Sequence, residues 1–175
     1  MKIILSEQAT NDIEFINGLS QEEILSWPID YEVNRPTTKE VEETLDCWFG
    51  GSKWRGSNHA FLQFGQDGCG SLFCLWFYPD LQGEPPVIFL GSEGERSIVA
   101  NNCNDFVKQV ASGKVFCDGN WLEPEDEDED ELDWDLLKQR AKSYLGEICD
   151  DPNKLRDLAI SRHPNLSDWV ESNVQ

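Results

Sequence analysis

Short hydrophobic runs separated by turn-forming residues dominate the middle of the chain, from residue 60 to residue 113. Four such runs recur there, at residues 60–64, 71–78, 86–90 and 96–100. The links between them are too short for the crossovers that parallel strands need, so the pattern predicts an antiparallel meander. Asp67-Gly68 lies between the first two runs and is a strong hairpin signal, because glycine adopts positive φ without steric cost.

A helix is predicted directly after the fourth run. Asn102 or Asn104 can cap its start, since an asparagine side chain accepts a hydrogen bond from the N–H groups of the first turn. Phe106 and Val110 then lie on one helical face, and a glycine three residues later ends the helix. An antiparallel sheet with a helix against one face is an α+β arrangement, and this is the predicted fold class.

Helical patterns precede the meander. A first helix is predicted over residues 10–17. A second opens with a capping-box pattern at Ser20 and ends before Pro28, because the residue before a proline disfavours helical backbone. A third begins near Thr37 and continues to Trp48.

Helical patterns also follow the meander. Apolar residues recur at helical spacing over residues 132–148, a further helix is predicted over residues 150–161, and Trp169 would dock from a final turn. The chain is therefore predicted to have three parts: an α+β domain at 1–122, an acidic linker at 123–131, and a helical extension at 132–175 that packs on the same domain.

The central stretch also carries a family resemblance. The residues that carry it are Phe64, Gly65, Asp67, Gly68, Gly70, Pro86, Val87, Ile88, Leu90, Val99, Ala100, Phe106 and Val107. In this order they resemble the core of the SUKH superfamily, the Smi–Knr group of cell-wall regulators and bacterial immunity proteins. The resemblance covers about 55 of the 175 residues. It implies a SUKH-like α+β fold, a non-enzymatic binding protein, and a structural role for the four turn residues Gly65, Asp67, Gly68 and Gly70.

The charge balance narrows the class of partner. The chain has 14 basic and 34 acidic residues, for a net charge of −20. Phosphate contacts need lysine and arginine, so nucleic acid is excluded as a partner, and an anionic membrane surface is disfavoured for the same reason. A basic protein partner is favoured, because charge of this size steers association. Solubility alone is the alternative explanation.

One segment concentrates the charge. Residues 123–135 hold ten of the acidic residues, and residues 125–131 are uninterrupted. The segment is interpreted either as a solvated link or as a docking arm for a basic partner. A calcium loop is rejected, because Glu131 stands where the turn of an EF-hand needs glycine. The docking interpretation assigns partner binding to four carboxylates, Asp126, Glu127, Asp128 and Asp130.

An aromatic side chain is a further candidate for partner binding. Trp54 lies in a polar stretch between the third predicted helix and the meander. Tryptophan is enriched among the residues that dominate binding energy, so an exposed Trp54 would anchor an interface.

Catalytic and metal-binding patterns are weak. His59 and His163 are the two histidines, and no third group readable from the sequence orients either beside a cysteine nucleophile. The six cysteines lack zinc-site spacing, so no metal or cofactor is predicted. No signal peptide and no run of about 20 apolar residues is found, which favours free thiols and a cytoplasmic location.

Three functional hypotheses follow. The resemblance and the charge together favour an immunity protein that neutralises a basic toxin, many such toxins being nucleases. A regulatory interaction scaffold of the Smi–Knr type is the first alternative. A hydrolase with an unrecognised pair of carboxylates is the second, since a sequence this acidic does not exclude one.

Overall fold

The computed structural model describes residues 4–34, 36–49 and 60–173. The helices of this part are α1 (Glu7–Gln21), α2 (Thr38–Trp48), α3 (Cys103–Val110), α4 (Trp134–Leu145), α5 (Pro152–Arg162) and α6 (Leu166–Asn173). Its strands are β1 (Tyr31–Val33), β2 (Phe61–Asp67), β3 (Leu72–Trp76), β4 (Val87–Leu90), β5 (Arg96–Ala100), β6 (Val115–Cys117) and β7 (Asn120–Leu122).

Strands β1 to β5 form one antiparallel sheet in sequence order, and β6 pairs with β7 in a separate hairpin. The predicted α+β class and the predicted meander are therefore confirmed. The Asp67 carboxylate accepts hydrogen bonds from the backbone N–H groups of Cys69 at 3.0 Å and Ser71 at 2.8 Å, which closes the hairpin between β2 and β3. Gly70 completes that turn with a φ of 85°.

Strand β3 lies at the centre of the sheet and is buried along its whole length. Its side chains alternate between two hydrophobic clusters. Phe73 and Leu75 belong to one cluster, and Cys74 and Trp76 belong to the other. The sheet is therefore covered on both faces, and the molecule has three layers.

Different helices cover the two faces. The first cluster takes its helical residues from α1, α3 and α4: Ala9, Ile13, Ile16, Leu19, Cys103, Phe106, Val107, Val110 and Leu137. The second cluster takes its helical residues from α2, α5 and α6: Leu45, Ala159, Leu166 and Val170. Trp169 of α6 lies edge-on to Trp76, with ring centroids 5.4 Å apart. The C-terminal helices thus form much of the cover of the second face.

Helix α4 is fixed to α1 by polar and aromatic contacts. The Tyr144 hydroxyl donates a hydrogen bond to the buried Asp12 carboxylate at 2.7 Å. The Tyr144 ring also stacks on Phe15 with centroids 4.1 Å apart. Arg140 donates two hydrogen bonds to the Glu22 carboxylate, at 2.6 and 2.9 Å. These contacts join residues more than 100 positions apart in the chain.

The N-terminal prediction was wrong in two places. Helix α1 begins at Glu7, capped by the Ser6 side chain, and runs four residues beyond its predicted end at residue 17, through Ser20 to Gln21. Ser20 does not start a second helix; its hydroxyl donates to the backbone carbonyl of Tyr31 at 3.0 Å. The chain turns instead at Glu23, with a φ of 60°, and strand β1 follows.

Other helix ends differ by a few residues for local reasons. Helix α2 begins directly after Thr37, as predicted, and Thr37 caps it in a capping box with Glu40. Helix α4 ends at Leu145 because Gly146 adopts a φ of 79°. The predicted turn around Trp169 is the two-turn helix α6. Among the described residues, no helix is both long and apolar enough to cross a membrane.

Gly65→Ala should destabilise the fold by about 1–3 kcal/mol, the usual cost of overpacking. A Cβ atom at Gly65 would collide with the ring of Tyr31. That ring is buried, and its hydroxyl donates a hydrogen bond to Asn17 Oδ1 at 3.0 Å. Urea denaturation measures the difference in free energy of unfolding.

Gly18→Ala is the matched control. Gly18 lies in α1, and no heavy atom lies within 4 Å of its added Cβ, so alanine should stabilise the helix by about 0.5–1 kcal/mol. A Gly65→Ala protein as stable as the wild type would show that the approach of β2 to Tyr31 imposes no constraint.

Candidate functional site

The acidic run at residues 125–131 is folded into successive turns on the protein surface. The backbone N–H of Asp128 donates to the Glu125 carbonyl at 2.8 Å, and that of Glu131 donates to the Asp128 carbonyl at 3.2 Å. Six of the seven side chains are exposed, and Asp128 is half-buried. The run therefore presents its carboxylates from a folded backbone.

Two tryptophans hold the run in place. The Trp27 indole N–H donates to the Asp128 carboxylate at 2.9 Å, across 101 positions of sequence. The Trp134 indole N–H donates to the Glu129 carbonyl at 3.0 Å. Trp27 itself is 55% exposed, so most of its ring faces solvent beside the carboxylates.

The charge of the run is not compensated within the described part of the chain. Among the described residues, no carboxylate of residues 125–131 forms an ion pair. Arg140 is engaged by Glu22, and this hydrogen bond lowers the pKa of the Glu22 carboxyl. Lys114 is engaged by Glu123 at 3.2 Å. We call the run together with Trp27 the acidic face.

Four of the five predicted partner-binding residues lie in the described part of the chain. Asp126, Glu127, Asp128 and Asp130 all lie on the acidic face, where Asp128 is half-buried and the other three are exposed. Trp54 lies outside the described residues. Trp27, which the sequence prediction assigned to a helix, is the exposed tryptophan of this face. One sequence signal could have shown that Trp27 is not helical: it directly precedes Pro28, and the residue before a proline disfavours helical backbone.

The four turn residues of the family resemblance lie in and around the β2–β3 hairpin. Gly65 packs against Tyr31, and Asp67 closes the turn. The backbone N–H of Gly68 donates to the Asp30 carboxylate at 3.0 Å, which ties the hairpin to the segment before β1. These contacts are all within the protein, and they shape the end of the sheet.

A second feature is a polar cavity of about 670 Å³ beside the end of α5. We call it the His163 cavity. Its walls come from the loop between β3 and β4, the junction of β5 with α3, and the end of α5. The chemically distinctive lining residues are Tyr78, Asp80, Glu84, Asn101, Arg162 and His163.

His163 is fixed by hydrogen bonds at both ring nitrogens. Its Nε2 lies 3.0 Å from Asn101 Oδ1, and its Nδ1 lies 2.9 Å from the Tyr78 hydroxyl. An amide oxygen only accepts, so Nε2 carries the proton and Nδ1 accepts from Tyr78. With both nitrogens engaged, His163 ties three segments together.

Two further kinds of chemistry, thiol reactivity and metal binding, are relevant to the described residues. Burial raises the pKa of the Cys74 and Cys103 thiols well above the usual range, which keeps them protonated and unreactive. In this part of the chain, no group of three or more His, Cys, Asp or Glu side chains is arranged to hold a metal ion. His59, and with it any pairing with Cys69, lies outside the described residues.

Comparisons with known proteins add no relative. The chain matches no protein-family model, no curated protein and no solved structure. The acidic face and the His163 cavity are therefore interpreted from their own geometry.

Acidification should weaken the fold through His163. Burial first, and the neighbouring Arg162 charge second, lower the pKa of His163 from its ordinary value of 6.5. The unfolded chain therefore binds this proton more readily than the folded chain. The stabilising contribution is complete above the unfolded-state pKa and is lost as the pH falls through the folded-state value. Urea denaturation should show a lower free energy of unfolding at about pH 5 than at about pH 7.5.

His163→Gln isolates this contribution when both proteins also carry His59→Gln, because then a single histidine titrates. Carboxylates titrate in both proteins and cancel in the comparison. The variant should be less stable at neutral pH, and the gap should narrow as the pH falls. A gap that stays constant across this range would contradict the assignment.

Proposed function

We propose that this protein is a non-enzymatic binding module that neutralises a basic protein, in the manner of an immunity protein acting on a polymorphic toxin of the nuclease type. The resemblance to the SUKH superfamily supports this class of function. The stretch that carries it, from Phe64 to Val107, runs through β2 to β5 and into α3.

The acidic face is the observation that carries the proposal. Seven consecutive carboxylates have no described ion pair, and they lie beside a tryptophan that is 55% exposed. A basic surface would supply the missing counter-charges, and the Trp27 ring would supply apolar contact area beside Asp128.

The folded backbone of the acidic face favours tight binding. A free acidic tail would lose conformational entropy on docking, whereas turns already formed and hydrogen-bonded to Trp27 and Trp134 lose less. The net charge of −20 adds long-range attraction, which raises association rates. Both properties suit an inhibitor that must capture its target quickly and hold it.

A nuclease fits this partner chemistry. Such an enzyme binds phosphate groups through lysine and arginine, so its substrate groove is basic. A row of carboxylates on a fixed backbone can occupy such a groove in place of phosphates. The proposal therefore predicts that the partner, once bound, no longer binds nucleic acid.

The test begins with capture of the tagged protein's partner from its own host at low salt and at roughly 0.5 M salt, where surface charge is largely screened. The captured protein is then purified, and its dissociation constant is measured by calorimetry. Asp126→Asn with Asp128→Asn and Asp130→Asn should weaken binding at least roughly tenfold and reduce the salt dependence. Trp27→Ala should weaken binding by a similar factor with the salt dependence kept.

Glu14→Gln with Glu93→Gln and Glu171→Gln is the matched control, because it removes the same charge from exposed positions elsewhere. It should leave the dissociation constant within about twofold. Equal losses in the two triple variants would show that net charge, not the acidic face, drives binding. Several weak partners of unrelated kind would favour the regulatory scaffold instead, and a partner that still cleaves nucleic acid when bound would contradict neutralisation.

A further inference from the structure

The His163 cavity separates opposite charges onto different walls. The carboxylates of Asp80 and Glu84 come from the loop between β3 and β4, and the Arg162 guanidinium comes from the last residue of α5. These groups line one cavity, yet no ion pair joins Arg162 to either carboxylate. Arg162 also acts electrostatically on the Asp105 carboxylate of α3. The cavity is therefore bordered by charge of both signs that is not joined in an ion pair across it.

The amide groups of two asparagines add hydrogen-bond donors to the cavity lining. Asn101 uses its Oδ1 to accept from His163, and Asn102 uses its Oδ1 to cap α3 by accepting from the Asp105 N–H at 2.8 Å. In the described hydrogen bonds, the amide nitrogens of both asparagines have no acceptor. They line the same cavity as Arg162, so the lining contains three donor groups.

The walls are fixed in position. The hydrogen bonds of His163 to Tyr78 and Asn101 join the end of α5 to the end regions of β3 and β5. The segment that carries Asp80 and Glu84 is a turn, with left-handed backbone at Asp80, φ 65°, and at Gly83, φ 86°. A cavity with prearranged walls loses little conformational entropy when a ligand enters.

We propose that the His163 cavity binds a free cationic amino acid of the arginine or lysine kind. The ligand's carboxylate would lie on the Arg162 and asparagine wall, and its side-chain cation would reach the Asp80 and Glu84 wall. Two carboxylates and one guanidinium on the protein complement the two positive groups and one negative group of such an amino acid. The cavity of about 670 Å³ is large enough for a ligand of this size.

This site does not depend on the proposed function. None of the residues that line the cavity belongs to the acidic face. An amino-acid ligand would add a small-molecule activity to a protein whose acidic face is directed at a macromolecule.

Three commercial probes separate the contribution of the ligand's carboxylate from that of its side-chain cation. L-Arginine has both a carboxylate and a cationic side chain, agmatine lacks the carboxylate, and L-citrulline replaces the guanidinium with a neutral isostere. Calorimetry on the full chain should show arginine binding at least roughly tenfold more tightly than either analogue, the usual effect of one lost charge-assisted contact. Equal affinity for all three, or no detectable arginine binding at millimolar concentration, would overturn the proposal.

Variants assign each wall. Arg162→Gln should abolish the preference for arginine over agmatine, and Asp80→Asn with Glu84→Gln should abolish the preference for arginine over citrulline. Lys154→Gln and Glu93→Gln remove single charges from exposed positions outside the cavity, and they should leave both preferences unchanged. Thermal melts confirm that each variant is folded. Preferences that persist in the cavity variants would place arginine elsewhere on the protein and overturn the assignment.

Discussion

The burial of strand β3 on both faces is the constraint on which the rest of the structure depends. All five of its residues are buried, with alternate side chains in two separate hydrophobic clusters. A sheet of this kind exposes a large apolar surface unless helices cover each side, and the hydrophobic effect makes that exposure costly. Helices α1, α3 and α4 cover one face. The other needs α2 together with α5 and α6, so residues near the C-terminus complete the core of the central sheet.

Buried polar side chains then fix where those helices lie. Gln109 of α3 donates from its amide nitrogen to the Val99 carbonyl at 2.7 Å and to the Pro152 carbonyl at 3.1 Å, which positions the start of α5 against β5. His163 positions the other end of the same helix, and the Asp12–Tyr144 hydrogen bond positions α4. A buried polar group without its partner costs more than the bond itself contributes, so these contacts select one arrangement of layers.

The two functional features arise where that arrangement brings distant segments together. The acidic face requires the turn that carries Trp27 to meet a segment about 100 residues later, and Asp128 accepts the hydrogen bond that joins them. The His163 cavity requires the loop after β3 to meet the end of α5, and Tyr78 makes that contact. The acidic face therefore depends on the position of α4, which supplies Trp134, and the His163 cavity depends on the packing of α5. Their charge differs: the acidic face is of one sign, whereas the cavity has both.

Local chemistry in the sequence determined the four central strands, the turn at Asp67 and helix α3, because each depends on turn residues, caps and periodicity within a few positions. The acidic run could also be identified from the sequence, because counting charges does not require knowledge of the fold. Tertiary structure alone decided the exposure of Trp27 and the pairing of β1, because both depend on partners far away in the chain. The three-segment network around His163 could not be predicted for the same reason: Tyr78, Asn101 and His163 meet only after the sheet is covered.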